Sequence, residues 1–573
     1  MEDQEYLNKL RHSAAHLLAQ AVKEIYPSVK LGIGPTIENG FYYDFLKDEP
    51  FTLEDLKAIE KKMKDLARSN LVIEKIALGK SEEDAFLKEE PLKKELIGDL
   101  KKEGETPTFY KQGEFVDLCK GPHLASTGEI RAFKLSKVSA AYWRGDAKNV
   151  SLQRIYGYAF KTKEELKAHL KIIEEAQKRD HRKLGKELNL FSFHDAAPGM
   201  AFFHDKGTYI YNKLKEYMVE ELVKLNYEIN QTPMILNKDL WLQSGHWDHY
   251  KDDMYFTKID DKDCAVKPMN CPGNILIFKT ELHSYRELPI KAGEFGIVHR
   301  HELSGVLSGL FRVRMFTQDD AHVYCTTEQL NEQISELIDL IERVYATFGF
   351  KFEMELSTRP EKAMGDLETW ELAESTLKKV IESKGMSATV NEGDGAFYGP
   401  KIDFHIKDAL GRRWQCGTIQ LDFQMPEKFD LKYEGPDGNK HRPIMLHRTI
   451  YGSLERFMGI LIEHYAGKFP LWLSPIQVKV VNVTDRSEEF AKEITQKLKE
   501  NGIRAVLDNR NETIGKKVRT AIKEKSNYIL TIGDKEVEKK NLAVRDREGK
   551  VEYDVAVEDF IKRLKEEIGT KKC

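Results

Sequence analysis

Residues 315–325 read MFTQDDAHVYC. In an extended strand successive side chains point to opposite faces, so Phe316, Gln318, Asp320 and His322 share one face. That face carries an aromatic platform, an amide, a carboxylate and an imidazole able to ligate a metal. A half-buried strand with a solvated outer face seldom needs that set, so the face reads as part of a functional site. Immediately upstream, FGIVHRHELSGVLSGLFRVR (residues 295–314) reads as strand, loop and the start of this second strand.

Working outward, TYIYNKLKEYMVEELVKLN (208–226) predicts a helix running into an extended segment, YEINQTPMIL (227–236), that contains Pro233. Toward the C-terminal side, HRTIYGSLERFMGILIEHY (447–465) begins at a strand end and becomes a helix. The surrounding stretch, residues 189–472, forms the largest predicted unit. Residues 1–161 mix short helical and strand-like segments. LEDLKAIEKKMKDLARS has a helical apolar period, whereas FYYDF and LGIGP predict strand and turn. Residues 162–188 are charged and lack proline, with Leu166, Leu170 and Ile173 at i, i+4 and i+7, which predicts a connecting helix. Residues 473–573 alternate apolar strands with amphipathic helices and predict a small α/β domain with a largely parallel sheet.

The bulk numbers bound the function. The chain has 573 residues, 41% hydrophobic and 32% charged, a length that suggests several modules. It has no apolar run of about 18 residues that would span a membrane. Its opening, MEDQEYLNKLRH, has neither the apolar core of a secretory signal nor transit-peptide character, so the expectation is a cytoplasmic protein with no membrane partner. Six cysteines in a chain this long do not form a disulfide framework and point instead to ligands or nucleophiles. The net charge of -4 announces no nucleic-acid partner, although residues 476–573 carry 23 Lys and Arg against 19 Asp and Glu, a mild basic bias.

The proline-bearing strand after a long helix, the Arg-bearing strand–loop–strand and the Gly-x-x-x-Arg helix resemble the three motifs of class II aminoacyl-tRNA synthetases. The phrases KPMNCPG, RVRMFTQDDAH, AFYGPKIDF and CGTIQLDF narrow the resemblance to the bacterial-type threonyl-tRNA synthetases, and it covers essentially the whole chain. It implies a multidomain α+β and α/β fold: an N-terminal α+β editing domain, a linker helix, an antiparallel-sheet catalytic domain and a C-terminal α/β anticodon-binding domain. Many members begin with a further small ubiquitin-like domain, and here the sequence opens at the editing domain. The implied partners are tRNA(Thr), ATP, threonine and a second copy of the chain, because the Pro233 segment resembles the motif that pairs class II protomers.

The resemblance also implies residue roles. Arg300, Arg456 and His246 form the expected catalytic set. ATP, with Mg2+, is expected on Arg300, Glu302, Arg312, Phe316, Gln318, Gln415, Ser453 and Arg456. Phe316 would stack on adenine with Arg456 on the ring's other side. The chemistry agrees, because activation of a carboxylate by ATP piles negative charge on phosphate and calls for fixed guanidiniums and magnesium. The threonine pocket is expected from Met269, Gln318, Asp320, Tyr398, Lys401, Thr418 and Gln420.

Cys271, His322 and His447 lie too far apart to make a local finger. Mapped through the family they converge as the ligands of one Zn2+ per subunit, with an open position for threonine's amino and hydroxyl groups. Valine lacks that hydroxyl. Serine keeps it and lacks only a methyl group, worth roughly 1–3 kcal/mol, so the family logic calls for editing.

HSAAH and CKGPH place His12, His16, Cys119 and His123 in two i, i+4 pairs, which by themselves suggest a second metal site or a metallohydrolase. The family instead implies a metal-free hydrolytic site, joined by Tyr43, Lys93 and Asp117. In the last domain, Asn511, Glu536 and Arg545 fall where family members read anticodon bases. Three positions depart from the family, Asn274, His301 and Ser308, all in segments expected to surround ATP. An RNA-binding regulator without charging activity is the alternative.

Overall fold

The computed structural model describes residues 2–146 and 148–572, which fall into two compact units, Met1–Glu174 and Glu175–Cys573. The N-terminal unit opens with the helix Glu2–Ile25, whose Leu10, Ala14, Leu17, Leu18 and Val22 repeat at helical spacing and bury against Phe41, Phe45 and Ile155. Those partners belong to a sheet ordered Lys30–Leu31, Gly40–Leu46, Ser151–Phe160, Ala132–Tyr142, antiparallel throughout. A second antiparallel sheet, Ile73–Ile76, Phe109–Gln112 and Phe115–Leu118, ends just before Cys119. The helix Leu53–Arg68 starts at a Thr52 capping box, which satisfies its first free amides.

The second unit is built on an eight-stranded sheet. Its order is Glu228–Asn230, Ile290–His299, Met315–Cys325, Ile444–Thr449, Arg413–Asp422, Lys401–Lys407, Lys351–Ser357, Ala388–Asn391. The inner pairings are antiparallel, and the outermost strand on each side is parallel to its neighbour. The helices Asp205–Lys224, Leu330–Thr347 and Leu454–His464 cover one face with Leu214, Met218, Ile338, Ile341, Met458 and Leu461 fully buried. Alternation along Met315–Cys325 therefore sends Thr317, Asp319, Ala321 and Val323 into that core and leaves Phe316, Gln318, Asp320 and His322 on the opposite face.

Three local expectations change. The charged stretch 162–188 forms two helices, Lys163–Arg179 and His181–Glu187, because Asp180 leaves helical geometry and caps the second one through the Arg182 amide. Pro233 does not sit in a strand. It falls between Glu228–Asn230 and Ile235–Asn237, which fits a residue with no amide to give a ladder. The C-terminal sheet is mixed: Ala505–Asp508, Val478–Asn482 and Tyr528–Ile532 run parallel, whereas Asn541–Arg545 and Val551–Ala556 close it as an antiparallel hairpin. The five-residue turn between those last strands is too short for the crossover that a parallel pair needs.

Beneath the sheet lies one fully buried ion pair, Arg448 with Asp319, at 3.3 Å. Asp319 also accepts the amides of Ile450 (2.9 Å) and Tyr451 (3.0 Å), fixing the turn into the helix Leu454–His464. Removing one partner of such a pair leaves an uncompensated buried charge. Asp319→Ala should therefore lower unfolding free energy by about 3–5 kcal/mol, read as the shift of the tryptophan-fluorescence midpoint in urea. A midpoint unchanged from the parent chain would contradict this account of the core.

Candidate functional site

Two adjoining cavities open on the face of the eight-stranded sheet opposite its helices. The smaller, about 280 Å3, is walled by Gln318 and Asp320 from the central strand, by Thr418 and Gln420 two strands away, and by Met269, Tyr398 and Lys401. The larger, about 410 Å3, has Phe316 and Arg300 on one side, Gln415 between, and Ser453 and Arg456 at the start of the helix Leu454–His464. Glu302 and Arg312 line it from the loop between the two central strands and pair with each other at 2.9 Å. Arg300, Gln318 and Thr418 belong to both walls, so whatever occupies one cavity meets the occupant of the other there. The Arg300 guanidinium lies 5.1 Å from the centre of the Phe316 ring.

Cys271 and His447 stand at the inner end of the smaller cavity, and His322 is buried behind them. One ligand atom from each of the three lies within 4.8 Å of the others. Both ring nitrogens of His322 and Nδ1 of His447 are buried without a hydrogen-bond partner, a costly state that a bound cation would relieve. His447 Nε2 lies 2.8 Å from an Asp422 oxygen and donates its hydrogen bond there, which turns Nδ1 toward the other two ligands. Burial lowers its pKa but Cys271 and Asp422 raise it, to about 10 on balance, so a cation bound there would displace the Nδ1 proton. Burial holds the His322 imidazole far below its ordinary range, so it is neutral and its lone pair is free. The residues present fit a transition-metal ion with two imidazoles and one thiolate.

His246 does not line either cavity. Its ring is fully buried behind Met269, with Nε2 3.0 Å from the methionine sulfur and Nδ1 2.8 Å from Ser244 Oγ, and burial carries its pKa down to about 3. A neutral imidazole there sets the position of Met269. Asn274 is likewise away from the cavities. It is buried in the helix Cys271–Phe278 and accepts the Tyr324 hydroxyl at 2.9 Å. His301 and Ser308 do fall in the loop that carries Glu302 and Arg312.

Residues that the sequence did not single out complete the walls. Asp403, buried on the neighbouring strand, accepts from Lys401 (2.5 Å), Thr418 (2.7 Å) and Ser357 (3.1 Å). It holds two cavity residues in place. Its visible signal was position alone: it lies two residues beyond Lys401, hence on the same strand face.

In the N-terminal unit the four expected residues do converge. The Cys119 sulfur lies 3.1 Å from His12 Nε2 and 3.2 Å from His123 Nε2, and the His16 and His123 rings are 4.3 Å apart. His12 and His16 share a face of the first helix, whereas Cys119 and His123 sit in an irregular loop rather than on a helix. Beneath them Asp117 joins Lys93 (2.7 Å) and the Tyr43 hydroxyl (2.5 Å), and all three are buried. His16 Nε2 approaches Asp117 at 3.8 Å. Cys119 also walls a cavity of about 620 Å3. Burial raises the Cys119 thiol to about 11 and lowers all three imidazoles, so the cluster offers a neutral thiol and neutral ring nitrogens that can orient water.

The three candidate nucleobase contacts are dispersed. Asn511 and Glu536 follow the carboxyl ends of Ala505–Asp508 and Tyr528–Ile532, but Arg545 pairs with Ile529, near the other end of the sheet, and donates to the Gly549 carbonyl.

An imidazole held neutral by burial takes up its proton only on unfolding. Stability from this cluster is therefore complete above the ordinary histidine value of 6.5 and falls as pH drops below it, by up to about 1.4 kcal/mol per pH unit for each ring. The thermal midpoint should decline between pH 7 and 5, and His16→Asn should decline less steeply. Parallel pH profiles for the two proteins would contradict the buried-neutral assignment.

Three stretches of the chain match known protein families. The family described as tRNA synthetase class II core domain (G, H, P, S and T) matches residues 255–465, the anticodon binding domain matches 477–567, and the threonyl and alanyl tRNA synthetase second additional domain matches 108–156. A threonine–tRNA ligase of Clostridium tetani is 55% identical over 572 residues, covering 100% of this chain and 89% of the relative. One from Acetivibrio thermocellus is 56% identical over 563 residues, covering 98% and 88%. The solved RNA-binding domain of threonyl-tRNA synthetase from Cryptosporidium parvum superposes with a TM-score of 0.66 at 40% identity, covering 68% of this chain and 98% of that one.

Proposed function

The chain belongs to the threonine–tRNA ligase family, and from that premise we propose that it activates threonine with ATP, charges tRNA(Thr) and hydrolyses mischarged seryl-tRNA(Thr). The observation that carries the reading is the pair of adjoining cavities with a common wall at Arg300, Gln318 and Thr418. In the first step a threonine carboxylate oxygen attacks the α-phosphorus of ATP, the bond to the β-phosphate oxygen breaks, and pyrophosphate leaves. In the second a ribose hydroxyl of the tRNA attacks the acyl carbon and AMP leaves. Arg300 and Arg456 face the larger cavity, where negative charge develops on phosphate, and Mg2+ accompanies the ATP. Phe316 and Arg456 would hold the adenine, with Glu302, Arg312, Gln415 and Ser453 around the nucleotide. Gln318 and Asp320 would take the amino end of threonine, and Tyr398, Lys401 and Gln420 the rest of its pocket.

Cys271, His322 and His447 would hold Zn2+. Bound there, the ion supplies Lewis-acid coordination for the amino and hydroxyl groups of threonine, which valine cannot match. Serine matches both, and the His12, His16, Cys119, His123 cluster over Lys93, Asp117 and Tyr43 supplies a separate, metal-free place for water to attack a seryl ester. Asn511, Glu536 and Arg545 would meet the anticodon, and their dispersal fits several extended bases better than one pocket. A homodimer is supported by the exposed Ile229, Met234, Ile235 and Ile297 around Pro233, and the proposed work of charging tRNA fits a cytoplasmic protein. The complete arginine and metal-ligand set disfavours a regulator that binds RNA without charging it.

Threonine-dependent exchange of pyrophosphate into ATP tests the reading. The parent chain should catalyse it, and His322→Ala should lose metal content and exchange together. Exchange that survives in a metal-free His322→Ala protein would overturn the coordination scheme.

Replacing both Cys119 and His123 by alanine should leave exchange near normal while seryl-tRNA accumulates. Equal deacylation of added seryl-tRNA by parent and double variant would exclude the cluster as the editor. Loss of deacylation on adding chelator would show that the cluster works with a metal.

A further inference from the structure

We infer that His181, which lies outside every motif of the site, is a positioning residue that locks the ATP-facing loop to the helix carrying Arg456. The inference rests on reading the larger cavity as the ATP site. His181 opens the helix His181–Glu187 and is 1% exposed. Its Nε2 lies 3.0 Å from the amide of Leu310, so it must be the acceptor of that bond. The proton then sits on Nδ1, which faces Glu463 Oε1 at 2.7 Å, and the backbone amide of His181 donates to the same oxygen at 2.9 Å.

Both ends of this bridge lie on elements that carry cavity residues. Leu310 stands between Gly309 and Phe311 in the loop leading to Arg312, and Phe311 and Arg312 line the larger cavity. Glu463 is near the end of the helix Leu454–His464, whose first turn presents Arg456, and its second oxygen pairs with Arg412 at 2.6 Å. The His181 ring also packs 4.0 Å from the Phe311 ring. Fit is close on the loop side: Gly309 has φ +51°, and a Cβ there would come 2.2 Å from His181 Nε2. The loop therefore takes its course over a single imidazole that is held from below by a buried carboxylate.

A ring that merely filled space would accept substitutes by volume. The hydrogen-bond roles separate the alternatives, because His181→Gln keeps an acceptor near the Nε2 position, whereas His181→Asn keeps a donor near Nδ1 and abandons the Leu310 amide. A loop freed from that anchor occupies its ATP-binding conformation only part of the time, which weakens apparent affinity by that fraction.

The test compares the full-length parent, His181→Gln and His181→Asn by calorimetric ATP binding, with the Michaelis constants for ATP and threonine taken from pyrophosphate exchange. Asn should weaken ATP binding by about tenfold, the scale of one buried unpaired amide, and leave the threonine constant within about twofold, with Gln close to the parent. Equal losses in both variants, or parallel loss for ATP and threonine, would overturn the inference. Unchanged ATP affinity in both would do the same. If either variant fails to fold, Gly309→Ala carries the test from the loop side. Weakened ATP affinity there supports the bridge, and parent-like affinity overturns it. Calorimetry reads the bridge and exchange reads the proposed function, so the two fail separately.

Discussion

One hydrogen-bond register governs the larger unit: His322 stands directly opposite His447 on antiparallel strands. In an antiparallel pair, opposed residues bring their side chains to one side of the sheet within contact distance, so this register makes a two-imidazole site possible. The next strand extends the rule, because Gln420 is opposite His447 and Thr418 opposite Thr449, which sets that wall of the smaller cavity beside the two imidazoles. A slip of one residue would turn Phe316, Gln318, Asp320 and His322 into the helical core and bring Asp319 to the cavity. No nearby alternative pairing preserves both core and site. The fold is thus specified as strongly by the face that must stay polar as by the face that must stay buried.

That polar face is held by charges placed one layer behind it. Asp319 with Arg448, Asp403 with Lys401, Asp422 with His447, and Lys267 with Glu294 (2.9 Å) are all at the sheet or its edge. Burying such pairs yields little net stability, since desolvation offsets most of the attraction. What they provide is direction. Lys267 and Glu294 both bond Thr232, beside Pro233, so the exposed apolar segment there has a polar anchor under its backbone.

Much of this was legible in the sequence, for a physical reason. The alternation of MFTQDDAHVYC fixes which side chains share a face whatever the strand pairs with, and the structure keeps that grouping. The pairing of distant segments was not written locally. Cys271 joins His322 and His447 only through the sheet, and its convergence came from resemblance rather than from spacing. Asp403 shows in the sequence only through its i, i+2 relation to Lys401. Its partner Thr418 is 15 residues away and the Leu310 amide held by His181 is 129 away, separations at which no periodicity carries information. The sequence predicts a largely parallel C-terminal sheet, and the structure closes it with an antiparallel hairpin, because an apolar run reads the same in either direction. Only the short turn before Val551 distinguishes the hairpin.

The two chemical clusters differ in the one property that decides what each can do. His322 and His447 sit with a thiol and a carboxylate around orphaned nitrogens, an environment that favours a cation. His12, His16 and His123 crowd one another above an Asp117 whose charge is already engaged by Lys93 and Tyr43. With that carboxylate engaged, the cluster presents three imidazoles and a thiol, a set that could hold a metal ion as well as orient water. The two clusters lie in separate units, each closed around its own buried apolar residues.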